Sequence, residues 1–121
     1  MNIEIKGETY ELKLGYKFSN ALDKTYTIKQ DLGDGHNVEL GVGVSFLYSY
    51  LSMANFEAVI NFYNEGLNYL KKRPTKDDVI EAVEELASER GLQAVSEDCI
   101  EGLRESGFYT HVVEPKSKAK K

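Results

Sequence analysis

Residues 2–26 read NIEIKGETYELKLGYKFSNALDKTY, and the spacing of their apolar residues changes at Gly15. Before Gly15, apolar and polar residues alternate, which is typical of strands with one buried face. The two alternating runs meet at Gly7-Glu8, so a β-hairpin with a type I′ or II′ turn is predicted over 2–14. After Gly15 the spacing becomes helical, which predicts a short helix over about 16–25.

Four more helical patterns follow further along the chain. The clearest begins at Phe56, from which apolar residues recur at i+3, i+4, i+7, i+11 and i+14. Asn55 and Thr75 are suitable N-cap residues for two of these helices, and Gly107 suits a C-cap. The predicted helices cover about 44–53, 55–72, 75–89 and 91–106.

The predicted fold class is therefore α+β, with an N-terminal two-stranded β-hairpin packed on a bundle of about four to five α-helices. An isolated hairpin is unstable in water, which is why it must pack on the helices. We expect a single domain over 1–109 and a basic, disordered tail over 110–121. Residues 27–43 are rich in glycine and turn residues, and two interpretations stay open: a short strand around 38–40, or a mobile loop.

Composition limits the classes of function. Cys99 is the only cysteine of the 121 residues, so no internal disulfide can form and a reducing cytoplasm is expected. Four lysines against Glu114 give the segment from Thr110 a net charge of +3, so the other 109 residues carry −8 of the total of −5. An acidic body repels nucleic acid. No apolar run approaches the roughly 20 residues of a membrane span, and none is of the signal-peptide type.

No catalytic, cofactor-binding or metal-binding constellation is predicted. Gly-Val-Gly-Val-Ser at 41–45 lacks the Gly-Lys-Ser/Thr ending of a P-loop. The segment beginning at Asp31 resembles a calcium loop only in its glycines and acids, because the closing Glu is absent. His36 and His111 have no partner at ligand spacing. Cys99 lies on the apolar face of a predicted helix, where a small buried side chain is expected.

Two sets of residues remain as candidates for binding. The acidic residues of 77–89 form the outer face of an amphipathic helix, which is either solvated or an electrostatic docking surface. The segment 44–70 carries more apolar side chains than one small core requires, and aromatic residues are favoured in interfaces. The predicted partner-binding residues are Phe46, Leu47, Tyr50, Leu51, Phe62 and Tyr69.

Several segments, in this order, resemble the tail assembly chaperone family of long-tailed (siphovirus-type) bacteriophages and prophages. They are MNIEIKGETYELKLGYKF and ALDKTY at the start, LGVGVSFLYSYL in the middle, and LKKRPTKDDVIEAVEE before the last helix. The lysine-rich end is similar too. The resemblance covers most of 1–106.

The resemblance implies a non-catalytic protein that binds the tape measure protein, keeps it soluble and helps to recruit the tail tube protein. It implies a location in the host bacterial cytoplasm and absence from the mature virion. It also implies that a frameshift gives a longer second product, of which this chain is the shorter form. Self-association through the same apolar surface is a further expectation.

The sequence is also compatible with three other functions. The first is a small phage- or prophage-encoded regulatory module that binds a protein. The second is an enzyme that uses surface carboxylates, and the third is a permanent structural component of the virion.

Overall fold

The computed structural model describes residues 1–33 and 36–113. Within them the chain forms two hairpins and five helices, which confirms the predicted α+β class with its N-terminal hairpin. The elements are β1 (Asn2–Ile5), β2 (Glu8–Glu11), α1 (Tyr16–Thr25), β3 (Thr27–Gly33), β4 (His36–Gly41), α2 (Gly43–Ser52), α3 (Phe56–Gly66), α4 (Lys76–Arg90) and α5 (Leu92–Ser106).

The first hairpin turns one residue earlier than predicted. Ile5 pairs with Glu8, so the turn residues are Lys6 and Gly7 rather than Gly7-Glu8. Both have positive φ, 51° and 81°, as a type I′ turn requires. The turn is tied to α4 because the Lys6 Nζ lies 3.1 Å from an Asp78 carboxylate oxygen. Alternation holds along β1, where Ile3 is one of the buried residues.

A second antiparallel hairpin, β3–β4, occupies most of the segment 27–43, for which the sequence allows either a short strand around 38–40 or a mobile loop. Its strands pair from Thr27↔Gly41 to Gly33↔His36, with an irregularity between Asp31 and Gly33. The sequence signal for this hairpin was the Asp34-Gly35 dipeptide, which is frequent between paired strands. That dipeptide lies outside the described residues.

Helix α3 ends at Gly66, six residues before the predicted end at 72. The cause is a tertiary hydrogen bond: the Gly66 carbonyl accepts from the backbone N–H of Lys13 at 2.9 Å. The Asn64 carbonyl also accepts a hydrogen bond from outside the helix, from the Arg73 guanidinium at 2.5 Å. The Gly66 carbonyl accepts from another segment of the chain instead of from an N–H further along its own helix, and the chain leaves the helix through turns after Gly66.

The three predicted helix caps are confirmed. The Asn55 side chain accepts from the N–H of Ala58 at 2.8 Å, and Thr75 accepts from that of Asp78 at 3.1 Å. Gly107 ends α5 with a left-handed φ of 79°. These local bonds satisfy N–H groups that a helix start leaves without a partner.

One core lies between the first hairpin and the five helices. Its fully buried larger side chains are Phe18, Leu22, Leu47, Leu51, Val59, Phe62, Leu67, Val79, Val83, Val95, Leu103 and Val113. Tyr109 and Val113 are buried beyond the end of α5, and the Tyr109 hydroxyl donates to the Leu14 carbonyl at 2.6 Å. Of the predicted basic tail, residues 114–121 lie outside the described residues.

Candidate partner-binding surface

Helix α2 is anchored to α1 at its first residue. The N–H of Gly43 donates to a carboxylate oxygen of Asp23 at 2.9 Å, and Val42, the N-cap residue, provides no side-chain cap. A Cβ at Gly43 would lie 2.6 Å from the Asp23 backbone nitrogen, so only glycine allows this approach. The Asp23 charge also favours the positive end of the α2 dipole. Gly43, in the segment that lacks a P-loop ending, therefore serves helix packing.

Helix α2 is also fixed at its other end. The Ser96 hydroxyl of α5 donates to the Leu51 carbonyl at 2.5 Å, and Ser96 is 1% exposed. Between the two ends, Val44, Leu47 and Leu51 are buried in the core. The rotation of α2 about its axis is therefore fixed, which determines the residues that it presents outward.

The outer face of α2, together with the C-cap residue Met53 that follows it, carries three large apolar side chains at helical spacing. Phe46 is 37% exposed, Tyr50 36% and Met53 67%. Ser49 is exposed on the same face, between them. We refer to Phe46, Ser49, Tyr50 and Met53 as the α2 surface. Exposed large apolar groups at i, i+4 and i+7 are the arrangement with which a helix contacts another helix.

Aromatic contacts hold the α2 surface in place. Tyr26, at the end of α1, stacks on Tyr50 with ring centroids 5.9 Å apart and lies 6.4 Å from the Phe46 ring. The Phe46 and Tyr50 rings meet edge to face at 6.3 Å. The Tyr26 hydroxyl accepts from the Asn61 amide at 3.0 Å, and burial raises the pKa of Tyr26. The rings are thus preorganised, which lowers the entropic cost of binding.

The α2 surface lies in the least charged part of the chain. The 17 residues between Glu39 and Glu57 include no Asp, Glu, Lys or Arg, although 29% of the whole sequence is charged. Phe56, at the start of α3, is another exposed apolar residue of this stretch, 41% exposed. Recognition here would rest on apolar and aromatic contact, because no ion pair is available within the stretch.

The predicted partner-binding residues separate into three groups. Phe46 and Tyr50 are exposed and adjacent. Leu47, Leu51 and Phe62 are at most 1% exposed, so the prediction that they contact a partner is corrected: they belong to the core. Tyr69 is half-buried away from α2, where its hydroxyl donates to the Glu11 carbonyl at 2.7 Å and the Lys13 ammonium lies 4.8 Å from its ring centroid.

Sequence reasoning missed Met53 and Tyr26 as members of this region. Met53 could have been found, because it follows Phe46 by seven residues and Tyr50 by three, directly after the last residue of α2. Tyr26 could not, because its contact with α2 depends on how α1 and α2 pack. That packing is set by the close approach at Gly43.

A second surface feature is an acidic groove of about 450 Å³ between α4, α5 and β1. Leu86 and Tyr63 contribute apolar surface to it, and Arg90 pairs with Asp98 at its edge. Its other acidic residues are Glu4, Glu85, Glu89, Glu101 and Glu105. The groove includes part of the acidic helix face that was interpreted as either solvated or a docking surface.

The described residues offer little for chemistry. Among them, no group of three or more His, Cys, Asp or Glu could hold a metal ion. Burial raises the pKa of the Cys99 thiol and of the Tyr63 hydroxyl. A buried, protonated thiol is a poor nucleophile.

In the part of the chain that the structure describes, no helix is both long and apolar enough to cross a membrane.

No curated protein and no solved structure matches the chain significantly. A protein-family model does match: that of the family described as "Phage tail assembly chaperone protein, TAC", over residues 2–116. This match covers nearly the whole chain and implies partners among phage tail proteins. The chain therefore belongs to the phage tail assembly chaperone family.

Proposed function

We propose that this protein binds an amphipathic helical segment of the tape measure protein through the α2 surface. In this function it keeps the tape measure protein soluble in the host cytoplasm, assists growth of the tail tube and leaves before the virion is complete. No catalysis is involved. The observation that carries the proposal is the set of exposed, preorganised apolar side chains on an uncharged helix, in a member of the tail assembly chaperone family.

The physical basis is recognition between helices. An amphipathic helix exposes an apolar stripe that must be covered in water, and Phe46, Tyr50 and Met53 provide a stripe of matching spacing. Large aromatic anchors near the centre of an interface commonly contribute about 2 kcal/mol or more each. The acidic remainder of the chain keeps both the free protein and the complex soluble.

The rigid attachment of α2 supports the same proposal. Gly43 and Ser96 fix the helix at its two ends, so the anchors do not have to be ordered when the partner arrives. Buried residues such as Leu47 contribute indirectly, by holding the helix, and are excluded as contacts. A substitution that tests binding must therefore be made on the outer face alone.

The test is co-expression of this chain with the tape measure protein, followed by measurement of that protein's solubility and of co-purification. We expect Phe46→Asp and Tyr50→Asp to abolish both effects. The matched control is Tyr16→Asp: Tyr16 is also an exposed aromatic residue, 79% exposed, but it lies at the far end of α1 from Tyr26. Circular dichroism and thermal melting select the variants that remain folded.

Two outcomes would contradict the proposal. If the tape measure protein is equally soluble with and without the chain and the two do not co-purify, the chaperone function fails. If the two co-purify and folded Phe46→Asp and Tyr50→Asp variants bind as well as Tyr16→Asp does, the α2 surface is not the contact. Binding would then be sought at the acidic groove.

A further inference from the structure

We propose that the helical segment bound by the α2 surface carries a basic residue, best an arginine, beside its apolar stripe, and that a pocket next to Tyr50 receives this basic side chain. The proposal rests on the proposed function, because it concerns the partner of the same surface. It adds the chemistry by which the protein distinguishes its own partner segment from other amphipathic helices.

The pocket lies where the end of α1, the α2 surface and the start of α3 meet. Its volume is about 370 Å³. Pockets from about 300 Å³ upward hold small organic ligands, so the end of one long side chain fits. The residues that line it are Thr25, Tyr26, Tyr50, Asn55, Glu57 and Asn61.

The charge of the pocket favours a cation. None of its lining residues is basic, and Glu57 is the first charged residue after the uncharged stretch that contains α2. Glu57 is exposed, and its carboxylate forms no hydrogen bond or ion pair with another described residue. Its charge acts within the pocket: burial raises the pKa of the Tyr26 hydroxyl, and the nearby negative charge of Glu57 adds to the rise. A basic side chain in the pocket would thus gain an ion pair that the chain itself leaves unmade.

The aromatic rings provide a second attraction for the same group. Tyr26 and Tyr50 stack with an interplanar angle of 30°, and Asn61, which is 8% exposed, donates to the Tyr26 hydroxyl at 3.0 Å. A cation near the face of a tyrosine ring is attracted by the ring's quadrupole. Arginine combines this attraction with two parallel hydrogen bonds to a carboxylate, which makes it a better fit than lysine.

A carboxylate at the start of a helix also has a purely structural role, because it interacts favourably with the helix dipole. Asp77 occupies the same position in α4 that Glu57 has in α3, two residues after the N-cap, and is also exposed. The dipole accounts for both carboxylates, but it does not account for the stacked tyrosines and the pocket beside Glu57. Asp77 therefore provides the matched control.

The test uses the full-length protein and overlapping synthetic peptides of the tape measure protein, each of about 20 residues or roughly 30 Å of helix. Fluorescence anisotropy measures their dissociation constants. We expect the peptides that bind to carry Arg or Lys beside the apolar stripe, and replacement of that residue by Gln to weaken binding about tenfold.

Variants of the protein complete the test, with circular dichroism used to select those that remain folded. Glu57→Gln should remove most of the preference for the basic residue. Glu57→Lys should reverse it, so that a peptide with Glu in place of the basic residue binds more tightly than the original. Asp77→Lys should bind every peptide as the wild type does.

The inference is overturned if the bound peptides have no basic residue beside the stripe, or if folded Glu57→Lys and Asp77→Lys variants bind the same peptides equally. It is also overturned if no peptide binds although the full-length proteins co-purify. In each of these cases the co-expression result stands and the proposed function with it. If co-expression and peptide binding both fail, the proposed function and this inference fall together, so the two failures are distinguishable.

Discussion

Replacing Gly43 by Ala tests whether the α1–α2 contact holds the helix that carries the α2 surface. The added Cβ would lie 2.6 Å from both the backbone nitrogen and a carboxylate oxygen of Asp23, and 2.7 Å from the Leu22 carbonyl carbon. A carbon atom and the non-bonded heavy atoms around it pack at about 3.5 Å or more, so α1 and α2 must move apart by roughly 1 Å. The backbone of α1 does not move this far without cost, because Phe18 and Leu22 hold the helix in the core.

The expected loss of stability combines three effects. Overpacking costs about 1–3 kcal/mol. Moving Asp23 away weakens a hydrogen bond to a charged group, which is worth about 1.5–3 kcal/mol. Alanine in place of glycine stabilises a helix by at most about 1 kcal/mol, which offsets part of this loss. We therefore expect the free energy of unfolding to fall by about 3 kcal/mol, a large part of the total for a small domain.

Urea denaturation followed by circular dichroism measures this loss. With a slope near 2 kcal/mol/M, the midpoint should shift by about 1.5 M. Gly102→Ala is the matched control, since the Cβ added at this buried helical glycine would lie 2.6 Å from the flexible Met1 sulfur and 3.4 Å from the Phe62 ring, and its three nearest atoms all belong to side chains. Its unfolding free energy should change by less than about 1 kcal/mol. Equal midpoints for the two variants would refute the argument that close backbone approach positions α2.

Three further predictions concern the core and the chain end. Val59→Asp should lower the free energy of unfolding by more than about 3 kcal/mol, because Val59 is fully buried. Ile60→Asp should lower it by about half as much, because Ile60 is half-buried. Chemical denaturation of the two variants measures the difference. Deleting 114–121 should leave the unfolding free energy within about 0.5 kcal/mol, but a deletion that also removes Val113 should cost about 1–2 kcal/mol. The raised pKa and burial of Cys99 predict no reaction with a thiol reagent in the native state; fast labelling without unfolding would contradict this.

Local sequence chemistry predicted the helix boundaries that depend on neighbouring residues. Asn55 and Thr75 are N-cap residues, as their residue types and the apolar spacing after them predict. The predicted end of α3 at 72 was wrong. Its observed end at Gly66 is set by a hydrogen bond from Lys13, more than fifty residues away in the chain. A propensity argument contains no information on such a bond.

Turn chemistry explains the two differences between the predicted and the observed strands. Lys6 adopts a positive φ, which is uncommon for a residue with a Cβ, so the glycine-first turn was the simpler prediction. The second hairpin has a bulged register and polar residues in both strands, which weakens its alternation. The other indication of this hairpin in the sequence is the dipeptide Asp34-Gly35, which is as typical of a loop as of a hairpin.

The candidate site was predictable only as a region. Helix α2 has apolar residues on every side, so its sequence does not indicate which of them face the core. Contacts with α1 and α5 decide this, and they bury Leu47 and Leu51 while leaving Phe46 and Tyr50 outside. The sequence thus identified the helix, whereas tertiary packing selected the face.

The claim that the α2 surface contacts a tail protein is tested most directly by site-specific photocrosslinking during tail assembly. A benzophenone amino acid is placed at Ser49 and, in a separate variant, at Ser88 of α4, which is also exposed. Mass spectrometry then identifies the crosslinked partner. We expect the Ser49 variant, and not the Ser88 variant, to form adducts with an amphipathic segment of the tape measure protein. Adducts with that protein from Ser88 alone, or equal yields from both positions, would contradict the account.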